Sequence, residues 1–322
     1  MKLVIKNKIL NLIKFLAVNI TFPHKCLNFL PSKKLINFDE RPTNYLNKIY
    51  SKFSLVFLLL ARFNKSEDII LKQVFFKSNF FDFSLNLDIN EYTQCGYYFN
   101  DPSSDLIELI KLGGDVFIDI GANVGFYTVS AAQTFNRVFS FEPTPKTLTS
   151  LRDNIKRNEI LNIDIFDCAL SEKPGVFKLH VNPLNSGGNS LNNHRSSMIK
   201  NSGRNDWTTI NVDVETLDTI LLDKENNIHS VDLLKIDIEG HEAPALKGAI
   251  NTISKYKPII YAEVGRSKEQ MDKILEALPK CYSPFYINKR RIIDFDQEIV
   301  PMDLLFVHSE KLEKIRRKLK SF

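Results

Sequence analysis

Cysteine is scarce in these 322 residues and poorly placed for either of its structural uses. The four, Cys26, Cys95, Cys168 and Cys281, are widely scattered, with no CxxC pair and no zinc-ligand spacing, which argues against a disulfide framework and a structural zinc site. Free thiols suit a reducing compartment, so a cytosolic chain is expected. A membrane span is not expected either. The apolar stretch from Ser54 to Phe63 is about half the roughly 20 residues a span needs and reads as a buried helix segment, with a membrane-inserted one as the alternative. Lysines interrupt the apolar residues of the amino terminus and no small-residue cleavage site stands out, so a secretory signal is not expected. Acidic residues are nearly absent from residues 1–65, where Asp39 and Glu40 stand against 12 Lys or Arg. That segment carries +10 in a chain whose total is +5.

A hydrophobic content of 43% with 24 Phe is ample for a core. The length suits one catalytic domain with extensions: a basic helical extension over residues 1–75, a main domain over 76–309 and a basic tail over 310–322. In the extension, Lys2, Lys6, Lys8 and Lys14 are interleaved with apolar residues, a basic amphipathic pattern suited to an anionic membrane surface or to plain docking. The tail repeats the basic character from Lys311 to Lys320. Two cationic ends would suit a peripheral place on the inner face of a membrane. Nucleic acid is not expected, because no aromatic and basic platform accompanies them.

The most informative stretch is Asp115 to Pro143. Val116-Phe117-Ile118-Asp119-Ile120 reads as a buried parallel strand, Gly121 to Gly125 as a tight turn, and Val124, Tyr127, Thr128, Ala131, Ala132 and Phe135 follow helical spacing. A second strand then ends in Glu142, 23 residues after Asp119, where a carboxylate can accept both hydroxyls of a ribose. The turn reads Asp119-x-Gly121-x-Asn123-x-Gly125. The glycine that would face a pyrophosphate is Asn123, and an acidic residue precedes the loop, which would repel a pyrophosphate but suit an ammonium group. The pattern resembles methyltransferases of the doubly wound class that use S-adenosylmethionine.

Further on, the alternation of helix and strand continues. A helix is expected from Pro145 to Glu159 and a third strand from Ile163 to Ala169, whose carboxyl end would bring Asp167, Cys168 and Ala169 near an adenine. Upstream, Phe75 to Asn90 reads as a strand, and a helix is expected from Ser103 or Ser104 to Lys111, ended by Gly113-Gly114. Residues 182–205 contain 15 Asn, Ser or Gly in 24 positions, a long loop suited to an acceptor lid or to disorder.

The second strong motif is Val231 to Glu242, a strand delivering Lys235, Asp237, Glu239, His241 and Glu242 within eight positions. Ions so placed must be paired, exposed or chemically active. A helix opens at Glu242, with Ala245, Leu246, Ala249 and Ile253 on its apolar face. A fifth strand from Pro258 to Val264 ends in Glu263. Cys281 to Phe295 and Asp303 to His308 are expected to pair antiparallel at the sheet edge.

At these residues a family resemblance becomes specific. DxGANxGxYT, the FEP at 141–143, ALS at 169–171, ETLD at 215–218, KIDIEGHE with LKGA, and Pro258-x-x-x-x-Glu263 together resemble the FkbM family of methyltransferases over about Phe80 to Val264. The resemblance implies a doubly wound, Rossmann-like class I methyltransferase fold, a mostly parallel α/β sheet, to which this chain is expected to add an antiparallel edge hairpin and an amino-terminal helical or β extension without counterpart in the family. It also implies O-methylation of a sugar, glycan or natural-product hydroxyl. By position, Asp119, Gly121, Asn123, Gly125 and Glu142 would contact S-adenosylmethionine, with Asp167 and Ala169 at the adenine. Asp237, Glu239 and His241 would face a small-molecule or glycan acceptor and supply its general base. Asp237, Glu239 and Glu263 could instead hold Mg²⁺. Two alternatives stay open on residues alone: a nicotinamide-dependent sugar oxidoreductase, and a non-catalytic glycan- or membrane-binding protein on a degenerate domain.

Overall fold

A computed structural model describes residues 74–78, 81–88, 91, 93–94, 97, 104–182, 185–192, 208–222, 228–288, 290–295 and 300–321. The amphipathic amino terminus, the apolar stretch 54–63, Cys26, Cys95 and most of the Asn- and Ser-rich loop lie outside them. The chain divides into two units, residues 1–78 with 84–102 and residues 79–83 with 103–322.

The first unit contains an antiparallel pair, β1 (Val74–Lys77) and β2 (Ser84–Leu87), with Val74 opposite Leu87. The single strand expected from Phe75 to Asn90 is therefore two strands. In β2, Leu85 and Leu87 are buried and alternate with half-buried Ser84 and Asn86. Beyond it, the Glu91 carboxylate accepts from the backbone N–H groups of Thr93 and Gln94, at 3.3 and 2.9 Å.

The second unit opens with α1 (Ser104–Lys111), which has Asp105 in its first turn and Lys111 in its last, favourable at each end of the helix dipole. There follow β3 (Gly114–Ile120), α2 (Phe126–Ala131), β4 (Phe135–Phe141), α3 (Pro145–Arg157) and β5 (Ile163–Phe166). Phe135, which fits the helical spacing, is instead the first residue of β4. Pro145 sits in the first turn of α3, where its missing N–H costs nothing.

The expected third strand is split. Only β5 joins the main sheet, while β6 (Ala169–Leu170) pairs with β8 (Thr208–Glu215), itself antiparallel to β7 (Gly175–Val181). This three-stranded sheet has its own small core of Ala169, Leu179, Val212 and Val214. The chain continues through α4 (Leu217–Leu222), β9 (Leu233–Ile236), α5 (Glu242–Lys247), α6 (Ile250–Tyr256), β10 (Ile259–Glu263) and α7 (Lys268–Ala277). The helix expected after Glu242 is broken between α5 and α6, where a Cβ on Gly248 would lie 2.0 Å from the Ser171 carbonyl oxygen. Last come β11 (Tyr282–Asn288), β12 (Arg291–Asp294), β13 (Asp303–His308) and α8 (Ser309–Ser321).

The main sheet runs β12-β11-β13-β10-β9-β3-β4-β5. From β10 to β5 every pairing is parallel, and β13 inserts antiparallel between β10 and β11. The antiparallel edge is thus the β11–β12 hairpin, with β13 inside the sheet. Both faces are covered, as parallel strands require. Ile118, Phe139, Leu234 and Ile260 enter one core with α5, α6 and α7, whereas Phe117, Val138, Leu233 and Tyr261 enter the other. The expected basic tail is α8, which buries Ile315 and Leu319 in that second core. Among the described residues no helix is long and apolar enough to cross a membrane.

Candidate active site

β3, β4, β9 and β10 all deliver their carboxyl ends to one edge of the sheet, the edge at which open α/β sheets hold ligands. There Gly121 turns with φ 82°, its N–H donating to the Phe141 carbonyl at 3.1 Å. A Cβ on it would lie 2.1 Å from the Asp237 carbonyl oxygen, so this turn and the segment after β9 are in direct contact. Asn123 follows with φ 52° and Gly125 with φ 94° at the start of α2.

Glu142 is buried just past β4. Its Oε2 accepts from the Asn123 N–H at 3.0 Å and its Oε1 from the Thr144 N–H at 2.9 Å. The Thr144 side chain also hydrogen-bonds this carboxylate, whose remaining acceptor capacity can take a ligand hydroxyl. Burial pushes the Glu142 carboxyl above its usual range against the pull of those N–H groups.

Asp119, by contrast, is fully buried and turned inward. The Thr128 hydroxyl donates to its Oδ2 at 2.7 Å and the Lys235 ammonium stands 3.2 Å from its Oδ1. Its carboxylate therefore works through neighbouring residues, behind the turn. Asp167 is largely exposed and 3.8 Å from Arg152, while Ala169 is buried in the three-stranded sheet.

On the far side of the glycine turn, Asp237 and Glu239 follow β9, Glu263 ends β10 and Asp303 opens β13 opposite Glu263. Asp303 is the member of this group that sequence reading missed; the signal was its place immediately before the apolar run of β13. Burial, with Asp237 nearby, raises the Asp303 carboxyl to about 6, and burial with Asp237 and Glu242 raises Glu239 to about 7. Burial holds Glu263 well above the carboxylate range, so it is protonated at neutral pH and donates a hydrogen bond to Asp237. Glu242 instead holds the local backbone together, its Oε1 accepting from the Ile238 and Gly240 N–H groups and its Oε2 from Gln270.

His241 is engaged on both nitrogens. Asn192 donates through Nδ2 to the Gly240 carbonyl at 2.7 Å, which turns its Oδ1 toward His241 Nδ1 at 3.4 Å and makes Nδ1 the donor. Nε2 then accepts from the Ser171 hydroxyl at 2.9 Å. Burial lowers its pKa, so the ring is neutral.

Residues 185–192 form a strap over this edge. Asn123 Nδ2 lies 3.0 Å from the Ser186 hydroxyl, Asn189 donates to Thr144 Oγ1 at 3.1 Å, and Ser190 donates to the Glu239 carbonyl at 2.8 Å. Composition identified the loop, but only the fold shows that it joins the glycine turn to the residues after β9. Among the described residues no three of His, Cys, Asp or Glu converge to hold a metal ion, so the Mg²⁺ expectation has no ligand set here.

The strand order, the glycine turn after β3 and the acid after β4 define a doubly wound α/β protein of the class I methyltransferase type. The Methyltransferase FkbM domain matches residues 119–283, just over half of the chain, and the chain belongs to that family. It is 31% identical over 155 residues to the 31-O-demethyl-FK506 methyltransferase FkbM of Streptomyces tacrolimicus, covering 42% of this chain and 59% of that one. It is 26% identical over 162 residues to the hexuronic acid methyltransferase AglP of Haloferax volcanii, covering 50% of this chain and 61% of that one. The match thus spans less than two thirds of the length of these relatives. A crystal structure of Methyltransferase FkbM from Methylobacillus flagellatus KT is similar at 20% identity and a TM-score of 0.39, covering 61% of this chain and 44% of that chain.

Proposed function

We propose that this protein transfers the methyl group of S-adenosylmethionine to a hydroxyl oxygen of a sugar, glycan or lipid-linked acceptor. The observation that carries this reading is Glu142, a buried carboxylate beside the glycine turn that accepts the Asn123 and Thr144 N–H groups and a hydrogen bond from the Thr144 side chain, and keeps acceptor capacity for a ribose hydroxyl. Family membership supports it, as do a relative named for a hexuronic acid and one named for an O-methyl position. When bound, S-adenosylmethionine supplies an electrophilic sulfonium methyl group. Gly121, Asn123, Gly125 and Glu142 would hold it, with Asp167 and Ala169 beyond its adenine. Asp119 supports the turn from behind.

Removing the acceptor proton falls to the carboxylates beyond β9. Asp237 is about half exposed, with a side-chain relative exposure of 46%. Glu239, poised near neutrality, can give or take a proton at working pH. His241 has Ser171 and Asn192 on its nitrogens and orients the strap instead. The exposed cations Lys314, Arg317 and Lys320 of α8 would suit an anionic membrane surface beside such an acceptor.

Calorimetric titration with S-adenosylhomocysteine, using NAD⁺ as the control ligand, tests the reading. Saturable binding of S-adenosylhomocysteine alone, lost in Glu142→Ala, is the expected result. Binding of NAD⁺ alone would sink it in favour of an oxidoreductase.

A further inference from the structure

Lys235 places a cation where a parallel sheet is ordinarily apolar. Its side chain is 4% exposed, and its neighbours in β9, Leu233, Leu234 and Ile236, are buried hydrophobes. A hydrophobic residue would serve the packing at least as well, because the desolvation of an ammonium is at best offset by its partners. The register shows what the charge does instead. Ser140, Asp119, Lys235 and Tyr261 stand side by side on β4, β3, β9 and β10. From this row the ammonium donates to the Gly121 carbonyl at 2.7 Å and lies 3.2 Å from Asp119 Oδ1 and 3.8 Å from Asp237 Oδ2. It therefore touches the carbonyl of the glycine turn, the acid behind that turn and the first acid past β9. Burial alone would lower its pKa, yet Asp119 and Asp237 hold it above the ordinary lysine value, so the contact is ionic throughout the neutral range.

We propose that Lys235 is a positioning residue that couples the two halves of the site, holding the glycine turn and the acceptor-side carboxylates in one fixed relationship. The coupling rests on the functional reading above only for the identities of the two ligands. The charged groups facing the ammonium are Asp119 from β3, Asp237 after β9, Glu142 after β4 and Asp303 on β13, with Glu263 hydrogen-bonded to Asp237. Lys235 lowers the pKa of both Glu142 and Asp303, one on each side of the site, so either reports its loss.

The test uses the full chain with Lys235→Met and Lys235→Arg, S-adenosylhomocysteine as the probe, and carbon-detected NMR of the Asp303 carboxyl. In the native protein Asp303 titrates near 6 and saturation with the probe moves that midpoint. In Lys235→Met the affinity for the probe falls about tenfold or more, the Asp303 midpoint rises, and the probe no longer moves it. Lys235→Arg keeps the charge and restores the response of Asp303 to the probe, an outcome that simple loss of packing would not produce. Lys235→Met that binds the probe normally with Asp303 unmoved overturns the proposal. Should Lys235→Met fail to fold, an Asp303 midpoint indifferent to the probe in the native protein overturns it equally. A native protein that binds no probe defeats the cofactor reading instead, and the Asp303 midpoint in Lys235→Met then decides the role of Lys235.

Discussion

The Lys235 ammonium lies 3.2 Å from Asp119 Oδ1, and both side chains are buried between β3 and β9. Asp119 therefore matters first as the counter-ion of a buried cation. Asp119→Asn keeps the hydrogen bond from Thr128 but leaves the ammonium short of its nearest charge. Unfolding by denaturant is expected to show a loss of about 3–5 kcal/mol, the cost of breaking a buried pair. A loss under about 1 kcal/mol would mean that Asp237 alone suffices.

The two glycines of the turn differ in what surrounds them. At Gly121 an added methyl group meets the Asp237 carbonyl oxygen, whereas at Gly125 it meets the Leu151 side chain at 2.5 Å. Backbone cannot yield as a leucine methyl can. Both positions have positive φ, so both alanine variants are strained, but Gly121→Ala is expected to cost about 2–4 kcal/mol and to abolish S-adenosylhomocysteine binding. Gly125→Ala should cost less and retain weakened binding.

Glu142 accepts hydroxyls fully only as a carboxylate, and burial has raised its pKa. Affinity for S-adenosylhomocysteine should therefore fall on acidification, beginning above the range of ordinary carboxylates. Isothermal titrations across pH check this. Glu142→Gln should bind weakly at every pH and show no such dependence; an unchanged slope would remove Glu142 from the cofactor site.

Asp303 makes the protein less stable as pH rises. Its folded pKa is about 6 against an ordinary value of 3.8, so the folded state favours the protonated form. The penalty is absent below the ordinary value, grows between the two and is complete above about 6. Asp303→Asn is expected to raise stability by about 1–3 kcal/mol at alkaline pH and to change little in mild acid. Thermal denaturation at the two pH extremes distinguishes this from a uniform effect.

His241 should be the Nδ1–H tautomer, because Asn192 offers it an oxygen while Ser171 offers Nε2 a hydroxyl. Nitrogen NMR of the imidazole reads this directly. Asn192→Ala should mix the tautomers without unfolding the protein, and a native ring protonated on Nε2 would refute the assignment.

Much of this architecture was legible in the chain. The apolar run 116–120 and the turn from Gly121 to Gly125 announce a parallel strand closed by a tight turn, and Glu142 falls just past the end of the next strand. The three-stranded sheet was missed although Phe177, Leu179 and Val181 alternate in one strand and Ile210, Val212 and Val214 in another. The Asn- and Ser-rich loop between them hid the pairing. Splitting of the third strand at Asp167 was not readable, because which sheet a strand-like residue pairs with is set by its distant partner and not by the residue itself.

Sequence by itself determined the family, the β-α-β order from Val116 to Glu142 and the acids that follow β3, β4, β9 and β10, since apolar runs and glycine turns are local properties of the chain. The roles of those acids were decided by tertiary structure. Asp119 and Glu142 look alike as carboxylates on neighbouring strands, yet Asp119 points at Lys235 on β9, 116 residues away, and Glu142 faces the N–H groups of Asn123 and Thr144. Likewise, Asp303 joins Glu263 only because β13 inserts beside β10. What a carboxylate does depends on the charges and donors within a few ångströms of it, and the packed sheet supplies those from distant parts of the chain.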